Sequence, residues 1–314
     1  MKVLITGSSG QLGKTLIKTK PLNTQIYALD RVNFDMLNIP ECLEVIRSLR
    51  PDWIINCGAY TNVDLAESEK DNAMHINFYA PRAFAKEIKR LGGRFLQISS
   101  DYVFNGLNRK KPYSTSEKRS PLGIYGLSKA KAEESIEDIF RGTSQGIILR
   151  TSWLMGPFGK NFLITILNLH LKNKQIKVVD DQVGSPTSVF TLAEVCWKIL
   201  GFDCYESLIE KTKNGILHWH DDGETSWYEV ALSINHLGKE IGLIKNSPEI
   251  VPIKTSDCPS IAKRPPYSVL DCSSTKKILN HSSTVWTYEL QKNLEKIYFN
   301  NNNNEYSFFS KNKI

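Results

Sequence analysis

The opening thirty residues leave this chain little freedom. Lys2 to Thr6 is a short apolar run that passes directly into Gly7-Ser8-Ser9-Gly10-Gln11-Leu12-Gly13, after which Leu12, Leu16 and Ile17 share one side of an amphipathic segment. Strand, glycine turn and helix in that order bring backbone N–H groups to a helix N-terminus, where a pyrophosphate binds. The spacing is Gly-x-x-Gly-x-x-Gly rather than Gly-x-Gly-x-x-Gly, and a glycine turn by itself is weak evidence. Its position between a strand and a helix favours a dinucleotide. The next strand, Gln25 to Asp30, ends in an acid about twenty residues further on, where a carboxylate meets the adenosine ribose hydroxyls. Arg31 follows at once and suits a 2′-phosphate instead, so the two residues pull the cofactor choice in opposite directions.

The alternation continues. Glu41 to Leu49 reads as a helix and Asp52 to Asn56 as a buried strand, followed by the small residues Cys57-Gly58-Ala59-Tyr60-Thr61. Glu69 to Leu91 has the length and apolar spacing of a long helix interrupted by Pro81. Arg94 to Ile98 is a strand that delivers Ser99-Ser100-Asp101-Tyr102, and Gly146 to Arg150 is another, ending at Thr151-Ser152-Trp153. This rhythm predicts an α/β fold of Rossmann type, a doubly wound parallel sheet whose carboxyl edge binds ligands. With 314 residues, 41% of them hydrophobic, the chain buries one large domain or two packed ones.

Within Ser120 to Lys129, a tyrosine and a lysine stand four residues apart, Tyr125 and Lys129, on one face of a helix. A free tyrosine ionises near pH ~10. An ammonium about 4 Å away, at an effective dielectric of ~20, favours phenolate by up to roughly 4 kcal/mol, or about three pKa units. A tyrosine tuned in this way suits proton donation to the alkoxide that hydride transfer to a ketone creates. Taken alone, Tyr-x-x-x-Lys is common on surface helices, and Ser-Ser-Asp after a strand is usually a turn or cap.

Gly7-Ser-Ser-Gly-Gln-Leu-Gly13, Asn56-Cys-Gly-Ala-Tyr-Thr61, Ser99-Ser-Asp-Tyr-Val-Phe104, Tyr125-Gly-Leu-Ser-Lys129 and Arg150-Thr-Ser-Trp153 occur in order, with Asp181-Gln-Val-Gly-Ser-Pro-Thr187 and Arg264-Pro-Pro-Tyr-Ser268 beyond them. Together they resemble the dTDP-4-dehydrorhamnose reductase family of extended short-chain dehydrogenase/reductases over roughly residues 1–295. The resemblance implies reduction of the 4-keto group of a nucleotide-linked 6-deoxyhexulose, in nucleotide-sugar and polysaccharide biosynthesis, with NADPH or NADH. It implies Tyr125 as proton donor, Lys129 as ribose contact that also depresses the Tyr125 pKa, and Ser100 as the group orienting the carbonyl. Gly7, Gly10, Gln11 and Leu12 would line the pyrophosphate, Asp30, Arg31 and Asp35 the adenosine side, and Ala59, Tyr60 and Thr61 the cofactor backbone. Asp101 and Trp153 resemble sugar contacts, and Arg264 suits a diphosphate because a guanidinium fork matches phosphate oxygens; a plain surface arginine is the alternative. Some members of the family carry magnesium at a dimer contact, and the resemblance admits a homodimer; no magnesium ligand set is readable here.

From Gly156 the rhythm gives way to a basic helix (Asn161 to Lys174) and a short strand (Ile176 to Val179), then a helix (Thr187 to Leu200), a strand (Ile216 to Trp219) and a helix begun at Thr225-Ser226-Trp227-Tyr228. The expected division is 1–155 plus about 187–221 for the dinucleotide, and about 156–186 plus 222–298 for a smaller, discontinuous α/β substrate domain. Residues 299–314, with five asparagines at 300–304, read as a disordered tail. His218-x-His220 places two imidazoles on one strand face, but no third ligand is evident, so a structural role is expected.

The net charge of +7 and pI ≈ 8.9 come from scattered lysines without a basic-aromatic array, which speaks against nucleic acid and suits an anionic small molecule. The six cysteines lack paired spacing, no signal segment or membrane-length apolar run is present, and a cytoplasmic location is expected. Two other readings stay open. One is a reductase of a UDP-linked sugar or of another 4-keto-6-deoxyhexose, because the cofactor and carbonyl motifs do not read the base. The other is a non-catalytic dinucleotide-binding subunit, like the regulatory β subunit of methionine adenosyltransferase.

Overall fold

A computed structural model describes the chain except residues 108–110, 173–174, 202–211, 213–214, 246 and 303–314, with the backbone alone at 301–302. Cys204 lies outside the described residues. Among the described residues six strands form one sheet: β1 (Lys2–Thr6), β2 (Gln25–Leu29), β3 (Trp53–Asn56), β4 (Arg94–Ser100), β5 (Gly146–Thr151) and the strand Ile216–Trp219. The spatial order is Ile216–Trp219, β5, β4, β3, β1, β2, and every pairing is parallel. The chain reverses its direction of winding between β1 and β3, so their carboxyl ends open a crevice for a ligand.

Alternating strand residues bury both faces. Val3, Ile5, Trp53, Ile55, Leu96 and Leu149 pack against α1 (Gln11–Lys18) and α8 (Val189–Leu200) on one side. Leu4, Ile54, Phe95 and Ile148 pack on the other, against α2 (Ile39–Leu49), α5 (Ala80–Arg90) and α6 (Ile124–Phe140). Each large aliphatic side chain so buried contributes ~1.5–3 kcal/mol, which is why near-continuous apolar runs settle as central parallel strands. A second apolar core joins α7 (Phe162–Lys172), the helix Trp227–Glu240 and the helix Trp286–Asn302 through Leu163, Ile166, Val230, Ile234, Leu290 and Leu294. Ile176 and Val178 join it from Gln175–Val179, which pairs in parallel with Glu249–Ile253.

Three expectations need correction. The long helix over 69–91 is not broken by Pro81. After α3 (Val63–Ala66) it runs as α4 (Lys70–Met74), a π-helical turn (His75–Tyr79) and α5 with helical backbone angles throughout, and Pro81 follows the π-helical turn directly. Neither Thr187 nor Thr225 begins a helix: Thr187–Ser188 and Thr225–Ser226 are short strands, α8 starts at Val189 with the Ser188 hydroxyl accepting from the Phe190 N–H, and the later helix starts at Trp227 with Ser226 as its cap. Residues 299–302 are helical, because the helix from Trp286 continues through Asn302; the rest of the expected tail, 303–314, lies outside the described residues.

Candidate active site

At the crevice, Gly7 has φ +63, and a Cβ there would lie 2.7 Å from the Gly58 backbone. A Cβ on Gly13 would lie 2.5 Å from the Gly7 carbonyl. The glycines therefore let the β1 turn approach both β3 and α1, which is the cradle a pyrophosphate needs. Gly10 stands at the N-cap of α1 and its N–H bonds the Gly7 carbonyl. Leu12 sends its side chain into the core, which leaves only its backbone for the cofactor. The Gln11 side chain accepts from Asn161 Nδ2 at 2.7 Å and so ties this turn to the segment preceding α7.

Beyond β2, Asp30 Oδ1 accepts from the N–H groups of Val32 (3.1 Å) and Asn33 (3.3 Å), closing a local turn. Arg31 leans toward Asp35 at 4.0 Å rather than toward Asp30, and its side chain is largely exposed. Asp35 accepts from the Leu37 N–H at 3.1 Å. Ala59, Tyr60 and Thr61 follow β3 at the carboxyl edge. Asn77, buried in the π-helical turn, clamps Tyr60 by accepting from its N–H (2.8 Å) and donating to its carbonyl (3.0 Å), and reaches Ser128 Oγ at 3.0 Å. π-Turns recur at functional sites, and this one aims an amide that a regular helix would turn elsewhere. Sequence reading missed Asn77, and no pattern marks it.

The Tyr125–Lys129 pair comes from α6, and Ser100 from the end of β4. Helix α6 starts after Gly123, its Ile124 N–H bound to Glu67 Oε1 at 2.8 Å. Gly126 permits the approach, since a Cβ there would lie 2.2 Å from the Tyr102 carbonyl. Tyr125 consequently meets Tyr102 edge-on (5.5 Å between rings), with the Ser100 hydroxyl near enough to favour its ionised form. Lys129 is buried, and its Nζ donates to the Ile98 carbonyl at 2.6 Å. That carbonyl also ends a buried polar chain: Thr6 Oγ1 to Asn56 Oδ1 (2.6 Å), Asn56 Nδ2 to Gln97 Oε1 (2.8 Å), Gln97 Nε2 to the Ile98 carbonyl (2.7 Å).

Electrostatics here differ from expectation. Burial pushes the Tyr125 phenol up to about 12, with the Ser100 hydrogen bond acting against it. Burial also lowers Lys129 to about 8, and Glu133 opposes that fall. The expected pull of Lys129 on the phenol toward 7 is absent: the ammonium is directed to the Ile98 carbonyl, and burial, reinforced by the Asp101 charge, outweighs the lowering influence of Ser100. Asp101 accepts from the Ser100 hydroxyl at 2.9 Å, and its burial raises it to about 6 against hydrogen bonds from Ser268 and Ser100.

Trp153 stands beyond β5 with φ 45, a strained conformation for a bulky residue. Its indole stacks on Trp227 (3.6 Å, 10°), which contacts Phe162 (4.5 Å), and Gly184 leaves room for it: a Cβ there would lie 2.5 Å from the ring. Arg264 is not a plain surface arginine. Its Nη2 lies 2.8 Å from Asp64 Oδ2, and Asp64 also accepts from Ser260 Oγ (2.9 Å) and the Ala262 N–H (3.1 Å). Burial raises Asp64, yet these partners bring it down to about 2. The Arg264 guanidinium also lowers the Tyr102 phenol against burial, which places its charge on the side of the phenols.

His218 and His220 have partners other than a metal. His218 Nε2 lies 3.1 Å from Arg150 Nη1, and the His220 ring nitrogens meet the carbonyls of Asp221 (2.6 Å) and Leu270 (2.7 Å). Among the described residues no three His, Cys, Asp or Glu side chains converge to hold a metal ion. The magnesium admitted by resemblance therefore finds no fitting ligand set among the described residues of this chain. No helix of the described residues is long and apolar enough to cross a membrane.

Comparison with known proteins agrees with this geometry. Residues 1–299 match the RmlD substrate binding domain family. A dTDP-4-dehydrorhamnose reductase of Aggregatibacter actinomycetemcomitans is 35% identical over 294 residues, covering 92% of this chain and 97% of that one. The crystal structure of such a reductase from Clostridium acetobutylicum superposes with TM-score 0.84 at 32% identity, covering 95% of this chain and 99% of that one. Another, from Bacillus anthracis in complex with NADP, gives TM-score 0.82 at 32% identity, covering 94% and 99%. A Rossmann sheet with Ser100, Tyr125 and Lys129 at its carboxyl edge, matched over nearly its whole length, places this chain in the dTDP-4-dehydrorhamnose reductase family of extended short-chain dehydrogenase/reductases.

Proposed function

We propose that this chain reduces the 4-keto group of dTDP-4-dehydro-L-rhamnose to give dTDP-L-rhamnose, for cell-surface polysaccharide synthesis. The convergence of Ser100, Tyr125 and Lys129 at the carboxyl ends of β4 and α6's first turns carries the reading. The bound nicotinamide dinucleotide, NADPH or NADH, supplies the hydride. The glycine turn of residues 7–13 receives the pyrophosphate, Asp30, Arg31 and Asp35 border the adenosine, and Ala59 to Thr61 run beside the cofactor. Ser100 orients the carbonyl oxygen, and Tyr125 gives that oxygen its proton. A phenol raised to about 12 stays protonated at neutral pH, the form that reduction needs. Lys129 holds the nicotinamide ribose.

Trp153, stacked on Trp227, forms an apolar wall for the sugar, with Asp101 as a polar contact. Arg264, already oriented by Asp64, is assigned to the diphosphate. We assign residues 1–155 and about 187–221 to the dinucleotide unit, and about 156–186 with 222–298 to the sugar-nucleotide unit. A kinetic panel of dTDP-4-dehydro-L-rhamnose, dTDP-4-dehydro-6-deoxy-D-glucose and a UDP-linked 4-keto sugar tests the substrate. The highest kcat/KM is expected for the first; an equal or higher value for either competitor overturns the assignment.

A further inference from the structure

Helix α6 carries a third polar residue in line with the reactive pair. Glu133 lies four residues beyond Lys129 and eight beyond Tyr125, so the three share a stripe along the helix. Glu133 is fully buried. Its Oε1 accepts from Ser99 Oγ at 2.5 Å, Arg150 grips it through Nε (3.0 and 3.1 Å) and Nη2 (2.7 Å), and Arg119 Nε reaches it at 2.5 Å. Arg119 also pairs with Glu137. The stripe runs beside three successive residues of β4: Ile98 takes Lys129 through its carbonyl, Ser99 bonds Glu133, and Ser100 acts on Tyr125.

We propose that Glu133 is a positioning residue for this site: its carboxylate holds Lys129 in its ammonium form and, through Ser99, fixes the strand end that presents Ser100 to Tyr125. The proposal rests on the reductase reading above. A buried ammonium next to a single carbonyl is unfavourable unless a counter-charge lies near it. The groups acting on Lys129 are few. From α6 comes Glu133, which opposes the effect of burial; from the end of β3 comes Cys57, whose thiol burial keeps neutral. Arg150 and Arg119 act on Glu133 itself: burial alone would raise its carboxyl, yet these guanidinium groups and Ser99 bring it down to about 2. The carboxylate is thus ionised across the working pH range, and neither arginine lets it turn away from β4. A plain ion cluster would hold the fold without any of this reaching Lys129.

The test is kcat for dTDP-4-dehydro-L-rhamnose reduction between pH 6 and 10 in full-length wild type, Glu133→Gln, Glu133→Asp and Ser99→Ala. NADPH affinity (by fluorescence quenching) and melting temperature are recorded alongside. Wild-type kcat is expected to fall on the alkaline side as Lys129 loses its proton. In Glu133→Gln that fall moves about one pH unit lower, which is about tenfold less turnover where both are past their midpoints. Glu133→Asp keeps the charge and restores the limb toward its wild-type position. Ser99→Ala lowers kcat about three- to tenfold and leaves the limb where it was. A limb unmoved in Glu133→Gln overturns the proposal; if that variant does not fold, wild-type kcat in Ser99→Ala does so. Failure of the underlying reading has a different signature: Tyr125→Phe would then turn over like wild type.

Discussion

Replacing Lys129 by methionine is expected to abolish most turnover while making the protein more stable. Lys129 is buried, and its ammonium has been displaced from 10.5 to about 8, chiefly by desolvation. For a fully buried group a fall of that size corresponds to ~3 kcal/mol against the folded state at neutral pH. Methionine fills a similar volume without the charge. It gives up the bond to the Ile98 carbonyl, worth ~1 kcal/mol, but that carbonyl keeps its partner Gln97 Nε2 at 2.7 Å. The net gain is ~2 kcal/mol, or about 3 °C in melting temperature for a chain of this length. The sign with pH follows from linkage. Below the folded pKa of about 8, both folded and unfolded wild type carry the proton and the full penalty applies. Between about 8 and 10.5 the folded state binds fewer protons, so wild-type stability rises with pH and the advantage of methionine shrinks; above that range it vanishes. Calorimetry of wild type and Lys129→Met at pH 7 and pH 10, without cofactor, reads this directly. A variant that melts below wild type at pH 7, or an advantage equal at both pH values, would refute the buried-charge account.

Further outcomes follow from the same geometry. Tyr125→Phe removes only the buried hydroxyl on which Ser100 acts, so steady-state kinetics should show turnover ~100-fold lower or worse with NADPH affinity unchanged; near-wild-type turnover would mean another acid donates the proton. For the cofactor, both NADPH and NADH are expected to work within about a hundredfold, equivalent to ~2.8 kcal/mol, since the choice falls to exposed charges beside Asp30. Arg31→Ala should shift the kcat/KM ratio toward NADH. Because Arg31 is directed toward Asp35 at 4.0 Å, an unchanged ratio would assign it to that pair and leave the choice to Asp30.

What the sequence disclosed and what it hid divide along the range of the interactions. β1, its glycine turn and the Tyr125–Lys129 spacing are local patterns, each set by residues a few positions apart, and they stand in the structure within a residue or two of where they were expected. The environment of the pair was not local. Whether Tyr125 is drawn down or pushed up depends on burial and on Ser100 and Asp101, and the Ile98 carbonyl that takes the Lys129 ammonium lies 31 residues away. Glu133 could be seen as an acid four residues past a lysine, the commonest of helix pairs, but Arg119, Arg150 and Ser99 come from other elements. Arg264 read as a free clamp because its partner, Asp64, lies 200 residues upstream. The π-helical turn was hidden by Pro81, which looked like the break but stands just after that turn in a backbone that stays helical.

The claim that these residues reduce a sugar carbonyl at C4 is tested most directly by isotope transfer. The wild-type enzyme is turned over with dTDP-4-dehydro-L-rhamnose and NADPH dideuterated at the nicotinamide C4, and the product sugar is read by proton NMR. The account predicts one deuterium per molecule, located at sugar C4 of dTDP-L-rhamnose, with label incorporation lost in Tyr125→Phe on the same timescale. Deuterium at any other carbon, or oxidation of the cofactor with the 4-keto group intact, would contradict it.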